Sequence, residues 1–336
     1  MIEELKQWFE SEKRDLPWRH HRTPYRVWIS EVMLQQTQVA VVIVYFERWM
    51  ERFPTIESLA GARLEEVIKM WEGLGYYSRA RQIHASSKQI VDAFQGQFPN
   101  KAEDLFSLKG LGSYTVGAIL SFAFHQKAAA VDGNVMRVMA RLLCLEEDIC
   151  KSQTKKQIEA AVLALLPEKE PWIAMEALIE LGATVCQKQP KCSLCPLQRH
   201  CQAYRMGKEK DLPIKTKKSS TTYLKRHVGV ILAGGKVLVK QEKGKKVMAD
   251  LYEFPYFDRE EELKTLRVPM KLLKRFPAVT HSFTRYQATL YPTVWKADKR
   301  PDVQGFSWVS LKEIDQLPFS SGHRKILKIL HADFTH

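Results

Sequence analysis

Apolar residues recur at helical spacing through residues 1 to about 205. Leu5, Trp8 and Phe9 share one face, and Val135, Val138, Met139, Leu142 and Leu143 follow an i, i+3, i+4, i+7, i+8 pattern. Similar periods run through Leu59 to Trp71 and Ile158 to Leu166, with Phe53-Pro54, Phe98-Pro99 and Glu170-Pro171 as breaks. From Gly207 to Arg226 the pattern lapses into seven Lys or Arg against two acids, with a Ser219-Ser220-Thr221-Thr222 run and little to bury. That stretch reads as a basic linker lying along phosphates. Beyond it the period becomes that of strands. His227–Leu232, a turn at Ala233-Gly234-Gly235-Lys236 and Val237–Val239 predict a hairpin. Further strands are expected at Gln287–Trp295 and Phe306–Val309, and a closing helix near Arg324–Leu330. The expected fold is multidomain, with an all-α domain over 1–206, a linker over 207–226 and an α+β domain over 227–336. No repeat of fixed period is present.

Charge sharpens this picture. The 336 residues carry 52 Lys and Arg against 38 Asp and Glu, a formal net charge of +14. Such a surplus favours a polyanionic partner, because each phosphate neutralised releases condensed counterions. The longest apolar run, Val39 to Phe46, is far short of the ~20 residues that span a bilayer. The acids in MIEELKQWFE do not suit a signal peptide, so the expected location is the cytoplasm, with no membrane partner. Six cysteines in that compartment point to metal binding or buried thiols rather than disulfides, with Cys144 and Cys150 read as buried thiols.

Four motifs carry candidate chemistry. Cys186-x5-Cys192-x2-Cys195-x5-Cys201 places four thiols in one loop. One close pair flanked by wider gaps suits an iron–sulfur cube better than zinc, with idle thiols as the bland alternative. Leu108-Lys109-Gly110-Leu111-Gly112-Ser113-Tyr114 is a tight turn entering a helix, either a phosphate cradle or a plain capped turn. Asp132-Gly133-Asn134 precedes another helix, so Asp132 is an N-cap, a carboxylate kept ionised by the helix dipole, or both. Glu31 shares a helix face with Trp28 and Gln35. If buried there it would be held protonated as an acid; a solvated helix glutamate is the plain reading.

Taken together, Ser30-Glu31-Val32-Met33-Leu34-Gln35-Gln36-Thr37-Gln38-Val39, Trp71-Glu72-Gly73-Leu74-Gly75-Tyr76-Tyr77-Ser78-Arg79-Ala80, Val131-Asp132-Gly133-Asn134-Val135 and the cysteine loop resemble the MutY-type adenine DNA glycosylases. The resemblance is close over 1–205 and looser beyond. It implies a helix–hairpin–helix glycosylase domain with a [4Fe–4S] cluster on Cys186, Cys192, Cys195 and Cys201, then a Nudix-like domain that reads 8-oxoguanine. The implied activity is base-excision repair of duplex DNA by a monomer, removing adenine mispaired with 8-oxoguanine or guanine. In that scheme Glu31 and Asp132 are catalytic, Tyr114 and Asn134 position them, and Trp18, Arg19 and Glu176 hold the adenine. Gln36 and Tyr76 wedge into the duplex, Thr37 and Leu74 lie beside the lesion, and Gly110 and Gly112 bind phosphate. The recognition loop is Phe283-Thr284-Arg285.

Departures from the family pattern are informative. The first cysteine gap is five residues instead of six, Lys109 replaces a proline, and Arg285 replaces a histidine in the recognition loop. No Nudix acid signature lines up around Leu251-Tyr252-Glu253-Phe254-Pro255, so pyrophosphatase activity is not expected. Tyr114 stands where bifunctional relatives such as endonuclease III carry a nucleophilic lysine, which implies a monofunctional enzyme. The competing readings are a lyase on damaged pyrimidines, a non-catalytic iron–sulfur DNA-binding protein and a basic redox protein.

Overall fold

The computed structural model describes residues 1–216, 220–244 and 248–334. Its packing divides the chain into two units, Met1–Ala60 with Ala85–Lys218, and Gly61–His84 with Ser219–His336.

The first unit is helical. Its helix Pro24–Leu34 starts where sequence chemistry asks it to: Thr23 accepts a hydrogen bond from the Arg26 amide at 3.3 Å, and Pro24 fills the first position. Tyr25 and every residue from Val27 to Met33 are buried, so this helix runs through the core beside Phe46, Trp49 and Phe53. Val135, Val138, Met139 and Leu142 line the inner face of Gly133–Leu142, while Leu143 is half-buried. Helix Pro171–Thr184 packs on that helix through Gly182, where a Cβ would sit 2.6 Å from the Asn134 Cβ. Helix Ser113–Ala118 continues into a π turn at Ile119–Ala123.

The structure differs from the sequence pattern in three places. The Leu59 to Trp71 period is two helices, Ile56–Ala60 and Leu64–Met70, broken at Gly61. The start of the basic linker is packed instead of free: Leu212 is only 3% exposed and its carbonyl accepts from buried Arg141 at 2.9 Å. The Ile149 amide likewise donates to the Ile214 carbonyl at 3.1 Å. Linker residues 217–219 lie outside the described residues. Finally, Cys144 and Cys150 are half-buried and not fully enclosed.

The second unit is built on an eight-stranded mixed sheet. Its strands are β1 (Thr222–Ala233), β2 (Lys236–Gln241), β3 (Tyr252–Glu253), β4 (Tyr256–Phe257), β5 (Met270–Arg275), β6 (Val279–Phe283), β7 (Tyr286–Ala297) and β8 (Ser307–Ser310). Strand β1 begins inside the presumed linker because Thr222 to Leu232 pair in parallel with β7 from Tyr286 to Lys296. The hairpin turn at Gly234-Gly235 pairs Ala233 with Lys236. The Val228–Ala233 half of β1 is a continuous run without polar side chains because both sheet faces are covered there. Val228 and Val230 pack toward Ile326, Leu327 and Leu330 of helix Ser321–Phe334, while Ile231 packs toward Leu263 and Leu266 on the other face.

Candidate active site

A cavity of about 510 Å³ in the helical unit gathers Trp18, Arg19, Glu31, Gln36, Thr37, Tyr114, Asp132, Asn134 and Glu176. Residues from five separate stretches of chain therefore face one space. Glu31 is 7% exposed. Burial pushes its carboxyl up to about 7; the carboxyls of Asp132 and Glu176 add to this, while the Tyr114 hydrogen bond and Arg19 oppose it. The Tyr114 hydroxyl donates to Glu31 Oε2, and burial holds that phenol well above its ordinary range.

Asp132 is an N-cap: its Oδ1 accepts from the amides of Asn134 at 2.9 Å and Val135 at 2.8 Å. The Asn134 side-chain amide donates to the other oxygen at 2.8 Å. Burial nonetheless raises the Asp132 pKa overall, outweighing these bonds, so the cap moderates desolvation without overcoming it. Arg137, one turn on, donates to Asn134 Oδ1 at 2.8 Å, to the Gly182 carbonyl at 2.7 Å and to the Cys186 carbonyl at 2.7 Å. It ties the cap to the cysteine loop.

The far wall is a ladder of alternating charge that sequence reasoning only partly found. Glu180, fully buried, accepts from Arg14 Nε at 2.6 Å and from Arg19 Nη2 at 2.9 Å. Burial pushes its carboxyl up, but these two guanidiniums more than offset that and leave it lowered. Glu176 accepts from Arg22 at 2.6 Å and faces Arg19 Nε at 3.5 Å. Arg14, Arg22, Arg137 and Glu180 carry no motif of their own; the sequence signal for them is Glu176 and Glu180 at i, i+4 on one apolar helix. Trp18 is buried edge-on against Phe46 at 5.6 Å and still lines the cavity.

Gly110 (φ +81) and Gly112 lie exposed, with Gly112 capping helix Ser113–Ala118 without a side-chain bond. Cys186, Cys192, Cys195 and Cys201 line one small cavity with Arg141, whose Nη1 approaches Cys186 Sγ at 3.3 Å. Among the described residues, no three His, Cys, Asp or Glu side chains close around a point that could hold a single metal ion. Four cysteine thiols lining one cavity are a donor set that fits an iron–sulfur cluster.

In the second unit, Leu74, Tyr76, Phe283 and Thr284 share a cavity of about 570 Å³. Tyr76 (φ +47) is 43% exposed, and the Arg79 guanidinium lies over its ring at 5.5 Å while donating to the carbonyls of Leu74 and Gly75. Thr284 (φ +48) opens the two-residue turn between β6 and β7. Arg285 lies over the Tyr286 ring at 5.2 Å and donates to its hydroxyl at 3.0 Å. No helix among the described residues is long and apolar enough to cross a membrane.

Comparisons with known proteins meet this geometry. Residues 29–168 match the HhH-GPD superfamily base excision DNA repair protein model, and residues 227–329 match a NUDIX domain. The adenine DNA glycosylase of Mus musculus is 45% identical over 211 residues, 60% of this chain and 41% of that protein. The chain thus spans about two fifths of the length of that relative. The adenine DNA glycosylase of Buchnera aphidicola subsp. Schizaphis graminum (strain Sg) is 31% identical over 327 residues, 94% of each chain. A trapped endonuclease III–DNA covalent intermediate has a similar fold, with a TM-score of 0.53 and 27% identity over 61% of this chain and 94% of that one. With a helical glycosylase unit and a NUDIX-like unit around a mixed sheet, the chain belongs to the adenine DNA glycosylase family.

Proposed function

We infer that this protein is a monofunctional adenine DNA glycosylase acting on adenine opposite 8-oxoguanine or guanine in duplex DNA. The observation that carries this reading is Glu31: a buried carboxyl with its pKa near 7, bonded to Tyr114, in one cavity with Asp132. The target base must leave the stack to reach such a cavity. Protonated Glu31 donates to N7 of the flipped adenine, and the glycosidic bond breaks toward an oxocarbenium-like state. The carboxylate of Asp132 stabilises that cation, and Glu31, now a base, activates the water that completes hydrolysis. Two carboxyl groups divide acid and anion roles in the same way in other glycoside hydrolyses. Trp18, Arg19 and Glu176 hold the base, and Asn134 fixes the orientation of Asp132.

Net charge, the exposed turn at Gly110 and Gly112, and the positive-φ residues Gln36 and Tyr76 support duplex binding. Leu74, Thr37, Phe283, Thr284 and Arg285 are the residues assigned to the opposite base. The four cysteines would hold a [4Fe–4S] cluster, which supplies a rigid, charged anchor for the loop that Arg137 and Arg141 brace. Tyr114 presents no amine, so no Schiff base forms and the product is an abasic site.

The test is single-turnover base release from duplexes with adenine opposite 8-oxoguanine, guanine or thymine, analysed with and without alkali. Alkali-dependent cleavage in the first duplex is the expected result. Borohydride trapping of a covalent adduct would instead favour the lyase, and no release from any duplex would leave a DNA-binding protein.

A further inference from the structure

The segment that carries Tyr76 and the hairpin that carries Thr284 are joined by a charged contact that the glycosylase reading does not use. Residues 61–84 pack with residues 219–336, far along the chain. At the centre of the joint is Glu72, which follows helix Leu64–Met70 and lies just before Tyr76. Its Oε1 accepts from Arg324 Nε at 2.5 Å and its Oε2 from Arg324 Nη2 at 3.1 Å. Two parallel bonds are the geometry in which such a pair is strongest. The two side chains are only 13% and 16% exposed, so removing one leaves a desolvated charge on the other.

Neighbouring bonds close the joint. Lys69 Nζ donates to Glu72 Oε2 at 2.8 Å and to the carbonyls of Asp315 at 2.5 Å and Leu317 at 3.2 Å. The Arg324 guanidinium also bonds the Leu317 carbonyl at 2.5 Å and Asp315 Oδ1 at 3.1 Å, and it lies over the Phe319 ring at 5.1 Å. Past Tyr76, Arg81 Nη1 donates to the Ala249 carbonyl at 3.0 Å. The segment is thus pinned on both sides of Tyr76. Ser321, one turn before Arg324 on the closing helix, lines the same cavity of about 570 Å³ as Tyr76 and Thr284.

Tyr76 and Thr284 both hold positive φ, a backbone state that persists only where its surroundings over-determine it. The Glu31 cavity is lined by other residues, so the bridge touches no atom of the adenine. We propose that Glu72 and Arg324 are positioning residues that set the preference for the base opposite adenine, by holding Tyr76 in register with the Thr284 turn. With the bridge intact, entry of Tyr76 into the duplex and reading of the opposite base at Thr284 happen in one preorganised geometry. Without it, each contact must be ordered separately, and the energy gained from the favoured base is spent on that ordering. This inference rests on the glycosylase reading above.

The test is duplex affinity in a Glu31→Gln background, with adenine opposite 8-oxoguanine, guanine or thymine. Arg324→Met and Glu72→Gln should each weaken the 8-oxoguanine duplex at least about tenfold and the thymine duplex less than about threefold. Arg324→Lys keeps the charge without the paired bonds and should recover part of the preference. With Glu31 intact and enzyme saturating, adenine release from the 8-oxoguanine duplex should stay within about threefold of the parent, since the chemistry lies elsewhere. A cycle of Arg324→Met with Tyr76→Ala should be non-additive for the 8-oxoguanine duplex. Thermal unfolding checks that the variants fold, and Arg324→Lys carries the test if Arg324→Met does not. Equal weakening of all three duplexes, or an additive cycle, would show that the bridge only stabilises the fold and would overturn the proposal. A parent preference that survives in every variant overturns this proposal alone. A parent with no preference among the three duplexes overturns the glycosylase reading with it.

Discussion

Glu31 and Glu253 are a natural pair for comparison, one in each unit. Both are buried, and burial pushes both carboxyls to about 7. Their surroundings differ. Glu31 has a phenol donating to it, a second carboxyl on a helix cap and a cation on the far wall. Glu253 faces a neutral imidazole 3.9 Å away, and Glu242 and Lys240 act on it with opposite sign. A raised carboxyl pKa therefore marks a desolvated position, and the partner groups decide what it can do there. A capped carboxyl that can stabilise a cation, beside a carboxyl that can give up a proton, suits bond cleavage.

The comparison breaks most sharply at Glu31 itself. Glu31→Gln keeps the shape and the Tyr114 contact but removes the transferable proton. Single-turnover adenine release should fall by about 10²–10⁴, with duplex affinity within a few-fold of the parent. A fall in duplex affinity that matches the fall in rate would show that Glu31 binds DNA instead of moving a proton.

Next in size is pH. A general acid must be protonated before the bond breaks, so the cleavage rate should drop about tenfold per unit above pH 7, level off just below it and fall again at lower pH, where Asp132 loses its charge. A rate independent of pH between 6 and 9 would remove Glu31 from the acid role.

The strand-rich counterpart is read through stability. The folded pKa of Glu253 lies near 7, above its ordinary 4.5, so the folded state holds a proton that the unfolded chain has already lost. The stability this supplies is complete below 4.5 and disappears as pH rises through 7. Glu253→Gln removes that dependence. Between pH 4.5 and 8 the parent should lose on the order of 3 kcal/mol more than the variant, measured by denaturant unfolding. Parallel curves for the two proteins would show that Glu253 is solvated.

How much of this could be read beforehand depended on the kind of signal. Helical periods in the first 205 residues, the Gly234-Gly235 hairpin and strand β7 have local causes and were legible. The motifs around Glu31, Tyr114 and Asp132 were visible one at a time, because each has a local pattern. Their meeting in one cavity follows from the sequence only through the family resemblance, since no spacing encodes it. In the Arg14–Glu180–Arg19 ladder the resemblance points to Arg19 alone, because Arg14 and Glu180 look like ordinary surface charges until 160 or more residues of intervening chain fold between them. The linker was misjudged because composition cannot show that Arg141 is buried and needs the Leu212 carbonyl. Gly182 carried no signal at all.

That glycine gives the smallest and most local test. In the helical unit, a Cβ at Gly182 would lie 2.6 Å from the Asn134 Cβ and 2.9 Å from its backbone oxygen. Backbone atoms of a helix cap cannot yield cheaply, so Gly182→Ala should destabilise by about 1–3 kcal/mol. It should also slow base release, because Asn134 bonds to Asp132. In the strand-rich unit, a Cβ at Gly229 would meet Leu263 Cδ2 at 2.4 Å, the far end of a side chain that can turn away. Gly229→Ala should therefore cost less than about 1 kcal/mol, with alanine's better strand propensity offsetting part of the repacking. Equal destabilisation in the two variants would mean that the cap is no more rigid than a leucine rotamer. The orientation of Asp132 would then rest on its bonds to Asn134 and Val135, with Arg137 fixing the Asn134 side chain, and Arg137→Met would become the variant that separates positioning from packing.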